Sequence, residues 1–137
     1  MRTLHFGLRV ADLDRALTFY AALGYGIVGS VPDTPVGHLT MLKLPGDDFV
    51  TIELVHDPSR DIERAAGLSH FVVQVASMRT AVAELTTKGI EAEEPSSPDG
   101  SDELLTSWVV DPDGNRIELV QWPPGHADGM TSADFTD

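Results

Sequence analysis

The 137-residue chain contains no cysteine. A disulfide framework and a thiolate metal site are therefore excluded, and any metal must be bound by His and carboxylate side chains. Basic residues are also scarce, because 9 Lys and Arg stand against 22 Asp and Glu and give a net charge of −13. Such a surface repels phosphate backbones and anionic lipid, so we expect neither nucleic acid nor a membrane as a partner. No apolar run approaches the roughly 18 residues of a membrane span, and the first residues lack a signal-peptide pattern, so we expect a soluble, cytoplasmic protein.

The chain repeats itself at an offset of 65 residues without gaps. A search for internal repeats precedes other interpretation, because a repeat fixes the architecture. The matching segments are His5-Phe6 with His70-Phe71, Val10-Ala11 with Val75-Ala76, Gly24 with Gly89, and Ile52–Val55 with Ile117–Val120. A four-residue identity and a His-Phe identity in one ungapped frame indicate two copies of one module.

Each copy reads as strand, helix and three further strands. Alternating apolar residues predict the first strand at residues 4–11, and helical spacing follows with Asp12 or Ser77 as N-cap and Gly24 or Gly89 as stop. The later strands are predicted at Tyr25–Val31, His38–Leu44 and Phe49–His56, and at Ile90–Glu94, Leu104–Val110 and Asn115–Trp122. We expect an α+β domain over 1–122, built from βαβββ modules at about 2–56 and 68–122. The linker 57–67, with room for a short helix, joins them, and an acidic tail follows at 123–137.

The strand alternation separates an apolar face from a polar one. Phe6, Leu8, Val10, Ile52 and Leu54, with their counterparts in the second copy, are predicted to pack under the helices. The opposite face carries His5 and Glu53, and His70 and Glu118, with a separation of 48 residues in both copies. A single His or Glu on a strand is ordinarily a satisfied polar residue. A symmetric set of two imidazoles and two carboxylates favours a divalent ion such as Ni, Co, Zn, Mn or Fe, held octahedrally with two open positions.

Four segments carry a resemblance to a known family. They read LHFGLRVADLDRALTFY, TIELV, GLSHFVVQV and VVDPDGNRIELVQ. The chain resembles the vicinal oxygen chelate superfamily of glyoxalases, bleomycin resistance proteins and extradiol dioxygenases, and within it is most similar to glyoxalase I. The resemblance implies an eight-stranded open barrel around a metal-binding cavity, a homodimer, and metal ligands at His5, Glu53, His70 and Glu118. The short chain resembles the forms activated by nickel or cobalt.

The resemblance also implies a reaction. The substrate would be the hemithioacetal of a 2-oxoaldehyde with a thiol co-substrate, converted through a metal-bound enediolate to a 2-hydroxyacyl thioester. Glu118 matches the base, Glu53 could serve the opposite face, and Arg9 matches a residue that contacts a carboxylate of the thiol. Arg9 could equally pair with surface acids. The chain departs from the family at His56-Asp57, where Asn is common, and an acid there disfavours a carboxylate-bearing peptide.

Three other functions are compatible with the same residues. His5, His70 and Glu118 form a facial triad suited to ferrous iron and ring-cleaving dioxygenase chemistry, but Glu53 would occupy a position that such chemistry keeps open. A related epimerase or thiol transferase would use the same metal platform. A small-molecule or drug-binding protein of this fold would need no ligands, whereas this chain has the full set.

Overall fold

A computed structural model describes residues 1–62 and 68–135 of the chain. Two β-sheets and two α-helices confirm the α+β class. The strands are β1 (Phe6–Arg9), β2 (Gly26–Val31), β3 (His38–Lys43), β4 (Ile52–His56), β5 (His70–Gln74), β6 (Leu105–Val110) and β7 (Arg116–Gln121), and the helices are α1 (Leu13–Leu23), α2 (Met78–Thr87) and a short 3₁₀ helix (Ser132–Phe135). No helix in this part of the chain is long and apolar enough to cross a membrane.

The chain forms two compact units. The first unit comprises Met1–Gly67 with Asp111–Asp113, and the second comprises Leu68–Val110 with Gly114–Asp137. The first unit contains a sheet of order β1-β4-β3-β2, and the second contains a sheet of order β5-β7-β6. In both, the strand that precedes the helix pairs in parallel with the last strand of its module.

The offset of 65 residues holds in the strand register. Phe6 lies opposite Ile52 in the first sheet, and Phe71 lies opposite Ile117 in the second. Because register fixes which side chains share a face, each module presents its equivalent residues in the same way.

Both helices begin where their caps predict. The side chains of Asp12 and Ser77 accept hydrogen bonds from the backbone N–H three residues on, at 2.9 and 3.3 Å. Gly24 ends α1 with φ at 108°, a conformation that only glycine adopts without strain. The stop expected at Gly89 comes one residue early, because α2 is capped by Lys88 and Gly89 follows it with φ at 77°.

The strand expected at Ile90–Glu94 does not form, so the described residues contain seven strands where eight were expected. The segment still lies along β6, since Glu93 N–H donates to the Trp108 carbonyl and Ser96 exchanges two bonds with Thr106, all at 2.9 Å. The register shifts by one residue between these contacts, because Glu93 bonds Trp108 whereas Ser96 faces Thr106, and this irregularity interrupts the ladder. The open barrel stays a prediction, and a linker helix would fall mainly on 63–67, outside the described residues.

The core follows the alternation in both sheets. The predicted core residues that are buried are Leu8, Val10, Ile52, Leu54, Val73, Ile117 and Leu119. Other buried apolar strand residues are Leu42, Val55, Val109 and Val120, and of these Val55 and Val120 alternate onto the face opposite Leu54 and Leu119. Phe6 departs from the expectation, with 38% of its surface exposed, because it begins the edge strand β1.

The turn that contains Asp111 and Asp113 also stabilises the first unit, to which both residues belong. The buried hydroxyl of Tyr20 donates to Asp111 Oδ2 at 2.6 Å, and Asp113 Oδ1 accepts from the Ala11 N–H at 3.1 Å. Burial, together with the Asp111 carboxylate, raises the pKa of Tyr20 far above its usual value. Burial also raises the pKa of Asp113. The turn thereby connects α1 to the loop that follows β1.

Candidate metal centre and substrate cleft

The first His–Glu pair lies at the junction of β1 and β4. Parallel pairing places Gly7 opposite Glu53, and His5 lies two residues earlier on the same side of the strand. His5 Nε2 lies 2.9 Å from Glu53 Oε2. The side chains are 35% and 16% exposed, so the pair is reachable from solvent.

The second pair repeats this arrangement between β5 and β7. Val72 lies opposite Glu118, and His70 again lies two residues earlier. His70 Nε2 and Glu118 Oε2 are 3.5 Å apart, with side-chain exposures of 37% and 21%. The structure therefore brings each expected histidine to its expected carboxylate.

Both pairs have the donor spacing of a metal site. Nitrogen and oxygen ligands bind such ions at roughly 2.1 Å, so neighbouring ligands on one ion lie about 3.0 to 3.4 Å apart. The observed separations of 2.9 and 3.5 Å fall close to this range. Across residues 1–62 and 68–135, no group of three or more His, Asp or Glu side chains is close enough to hold a metal. Each pair thus fits as half of a ligand set, and the four-residue site stays a prediction.

The second pair has supporting contacts that were not predicted from the sequence. Ser69 Oγ lies 2.9 Å from His70 Nδ1, so the hydroxyl fixes the ring and leaves Nε2 facing Glu118. The Trp108 ring meets His70 edge-on at 4.9 Å, and the Arg116 guanidinium lies 4.2 Å from the centre of the Trp108 ring. Trp108 is the cross-strand partner of Glu118. The register of these two strands is the feature from which its position beside the second pair could have been predicted.

Arg9, the expected substrate-binding residue, lies on the same face of β1 as His5. It is half-buried, and its Nη1 donates to the Val36 carbonyl at 3.3 Å. This bond connects β1 to the loop between β2 and β3. Arg9 is therefore held in place at one end of the first sheet.

A cleft of about 630 Å³ opens at this end of the first unit. Its walls are Leu13 at the start of α1, residues 32–35 with Gly37 and His38, and the segment His56–Pro58 that leaves β4. His38 and His56 are cross-strand partners at its base. The cleft was not anticipated from the sequence, although its His56-Asp57 segment was singled out.

Asp57 is the most constrained charge in the cleft. Its Oδ1 accepts bonds from the Ser59 hydroxyl at 2.7 Å and the Ser59 N–H at 3.0 Å, and its Oδ2 lies 3.2 Å from Arg60 Nε. The bonds from Ser59 lower the pKa of Asp57, and the charges of Arg60 and Arg9 lower it further. The cleft therefore contains a fixed negative charge close to Arg9.

Known proteins are similar to this chain over most of its length. Over 132 residues it is 33% identical to a lactoylglutathione lyase of Neisseria meningitidis serogroup A, covering 91% of this chain and 94% of that protein. It is 28% identical to a "Probable lactoylglutathione lyase, chloroplastic" of Arabidopsis thaliana, covering 90% of this chain but only about a third (36%) of the plant protein. The structure of the trypanothione-dependent glyoxalase I of Leishmania major matches with a TM-score of 0.65 and 29% identity, over 88% of this chain and 86% of that one.

A family model covers most of the chain. The Glyoxalase/Bleomycin resistance protein/Dioxygenase superfamily matches residues 2–119, a span that includes both His–Glu pairs. In both halves of that span the first strand pairs in parallel with the last, and the strand before the last lies on its other side. The chain therefore belongs to the Glyoxalase/Bleomycin resistance protein/Dioxygenase superfamily.

Proposed function

We propose that this chain is a metal-dependent, glyoxalase I-like lyase. It would convert the hemithioacetal of a 2-oxoaldehyde and a thiol into the thioester of a 2-hydroxy acid. The observation that carries the proposal is the pair of equivalent His–Glu contacts in the same strand register of two repeated modules. Relatives named lactoylglutathione lyase support this reaction class.

In this proposal His5, Glu53, His70 and Glu118 together bind one divalent ion. Nickel or cobalt is our first choice, and zinc, manganese or iron would accept the same donors. A bound ion would act as a Lewis acid toward negative charge that develops on the substrate oxygens. The histidines need only hold the ion, whereas the carboxylates can also carry protons.

Glu118 is the proposed general base. It removes the proton from the carbon that bears sulfur and hydroxyl, and returns it to the neighbouring carbon, the former ketone. Glu53, on the opposite face of the substrate, would relay the hydroxyl proton to the neighbouring oxygen, so that no proton or electron is gained or lost overall. The 3.5 Å separation from His70 holds Glu118 less tightly than Glu53 is held at 2.9 Å. A looser carboxylate suits a group that must move a proton between two atoms.

The chain is proposed to act as a homodimer, as the family resemblance implies. Mixing two inactive variants tests whether the pairs combine within one chain or between two. If a site takes one pair from each subunit, a heterodimer of His5→Ala and His70→Ala regains one intact site. If a site uses both pairs of one chain, the mixture stays inactive.

Turnover tests the proposed reaction directly. The protein would be stripped with a chelator, reloaded with nickel or cobalt, and given methylglyoxal with several thiols, with thioester formation followed by absorbance. We expect activity that disappears on stripping and returns on reloading. Tight metal binding without turnover of any hemithioacetal would exclude the lyase and leave the superfamily assignment intact. A metal-independent signal would exclude the mechanism.

A further inference from the structure

A series of side-chain contacts leads from the connection between α2 and β6 to the second His–Glu pair. Glu93 Oε1 lies 3.1 Å from Arg116 Nη2, and the Arg116 guanidinium lies 4.2 Å from the centre of the Trp108 ring. The Trp108 and His70 rings meet at 75°, with their centres 4.9 Å apart. Each side chain restricts the next one, and the last of them is a proposed metal ligand.

The backbone of Glu93 is fixed by two hydrogen bonds. Its N–H donates to the Trp108 carbonyl at 2.9 Å, and its carbonyl accepts from the buried Ser107 hydroxyl at 2.6 Å. These main-chain contacts hold the carboxylate beside Arg116, although the Glu93 side chain is 61% exposed. Because both bonds are made by the backbone of Glu93, a substitution of its side chain leaves them in place and should be tolerated by the fold.

Strand register explains how Arg116 reaches the indole. Arg116 begins β7 and lies opposite His70 on one side and Val110 on the other. Trp108 is two residues from Val110 along β6, so its side chain lies on the same face of the sheet. A guanidinium over an indole is attracted by the electron-rich ring face. This attraction favours one orientation of the half-buried Trp108 ring, the orientation that contacts the imidazole.

We propose that Glu93 is a positioning residue for His70. It pairs with Arg116, which in turn holds the Trp108 ring against the imidazole. Ser69 holds the same imidazole at Nδ1, so the ring is restrained at two places and Nε2 keeps facing its carboxylate partner. The inference rests on the proposed function, because it assigns a residue that supports one of the proposed metal ligands.

The contact between Glu93 and Arg116 is exposed enough to respond to salt. The two side chains are 61% and 48% exposed, so dissolved ions screen their attraction. The hydrogen bond from Ser69 to His70 involves a neutral hydroxyl and is screened much less. High ionic strength should therefore loosen the Trp108 contact while the Ser69 contact persists.

Proton NMR of the metal-free protein tests the positioning role without reference to activity. The Trp108 ring current displaces the resonances of the His70 ring, because the two rings lie 4.9 Å apart. At fixed pH, Glu93→Gln should move these resonances toward the values of a free imidazole. High salt should move them in the parent protein and have little further effect in the variant. The His5 resonances are the internal reference, since none of the described ring contacts involves His5.

Glu94→Gln is the matched control. It removes the same charge from the next residue, which is also exposed, and it leaves the pair of Glu93 and Arg116 intact. The His70 resonances should keep their parent positions in this variant. Unchanged His70 resonances in Glu93→Gln, or equal changes in the two variants, would overturn the inference.

Metal affinity and turnover separate this inference from the proposed function. Glu93→Gln should weaken nickel binding about threefold, on the scale of an exposed ion pair, and Glu94→Gln should not weaken it. If the His70 resonances respond as expected but the nickel-loaded protein converts no hemithioacetal, the positioning role stands and the proposed reaction is wrong. If turnover is found and the two variants share the parent resonances and affinity, the lyase stands and the role of Glu93 is wrong.

Discussion

The two His–Glu pairs share a strand register but differ in what surrounds them. The second pair has Ser69 on its histidine, Trp108 against the imidazole edge, and Arg116 over the indole. The residues at the equivalent positions of the first module, 65 earlier, are Leu4, Lys43 and Thr51. None of these makes a described contact to His5.

The repeat preserves the His and Glu donors of each module but not the side chains that surround them. Parallel pairing of the first and last strand preserves the two donors, because a one-residue change of register would turn a strand's side chains to the other face. The neighbouring side chains are not constrained in that way. The second module has oriented its histidine through Ser69, while the first has the shorter contact between His5 and Glu53. We therefore expect the second pair to carry the chemistry and the first mainly to anchor the ion.

The largest expected effect is on kcat, and it should be greater for substitution of Glu118 than for substitution of Glu53. Glu118→Gln should lower kcat about a thousandfold at saturating metal, because a general base contributes on the order of 10² to 10⁴ in rate. Glu53→Gln should cost metal affinity first and lower kcat less once the ion is restored. Steady-state kinetics on metal-saturated protein measure both. Equal losses of kcat would show that the two carboxylates share the base role.

Removing the hydroxyl beside His70 should have the next largest effect. Ser69→Ala frees His70 Nδ1, and losing such an outer contact typically weakens metal binding roughly 10- to 100-fold. The reciprocal change, Leu4→Ser, offers His5 the same partner and should tighten binding or leave it unchanged. Competition with a coloured chelator gives both affinities. An affinity unchanged in Ser69→Ala would mean that the bond does not orient the ligand.

The buried tyrosine marks a second difference between the modules. Tyr20 of α1 corresponds to Leu85 of α2, and only Tyr20 needs a buried acceptor, which Asp111 provides. Tyr20→Phe should lower the free energy of unfolding by about 2 kcal/mol, since a bond to a buried carboxylate is lost. Tyr25→Phe is the control, because no described bond is made by the Tyr25 hydroxyl. Urea denaturation measures both, and similar losses would show that the bond to Asp111 adds nothing beyond the removal of a buried hydroxyl.

The smallest effect concerns the C-terminal segment of the second unit. His126 stacks on Trp122 at 4.4 Å, bonds the Ala127 carbonyl and lies 2.6 Å from Asp134. The Ala127 carbonyl, and then Asp134, raise the pKa of His126 above 6.5, while the Thr131 N–H, and then His126, lower that of Asp134 below 3.8. A raised His pKa stabilises the fold below about pH 6.5, and this contribution disappears as pH rises through the folded value. At lower pH, the stabilising contribution of the His126–Asp134 contact persists until pH falls through the lowered pKa of Asp134.

Titration by NMR checks this contact. Asp134→Asn should return the pKa of His126 toward 6.5, and the pH-dependent part of the stability should shrink with it. Asp128→Asn is the control, since it removes a neighbouring charge that bonds Gln74 instead. If the two variants shift the His126 titration equally, general charge rather than the specific contact raises the pKa.

The sequence predicted the parts of the fold that depend on local rules and on the repeat. The N-caps Asp12 and Ser77 and the two His–Glu pairs all follow from short-range patterns and the 65-residue offset. The strand at Ile90–Glu94 was wrong because alternation alone does not predict the register shift between Glu93 and Ser96.

The surroundings of the site could not be predicted from the sequence, for a different reason. The contact of Trp108 with His70 depends on the packing of three adjacent strands, and the cleft depends on three segments distant in the chain. Whether the two pairs meet on one ion is likewise not a property of either module alone.

Metal content is the measurement that tests the central claim most directly. Elemental analysis of the parent protein, loaded with nickel and dialysed, should give one ion per chain. His5→Ala and His70→Ala should each lose the ion with the circular dichroism spectrum unchanged, because a ligand set shared by both pairs fails when either is broken. His126→Ala, a histidine outside both pairs, should keep it. Retention of a full complement of metal by His5→Ala or by His70→Ala would contradict the four-residue site.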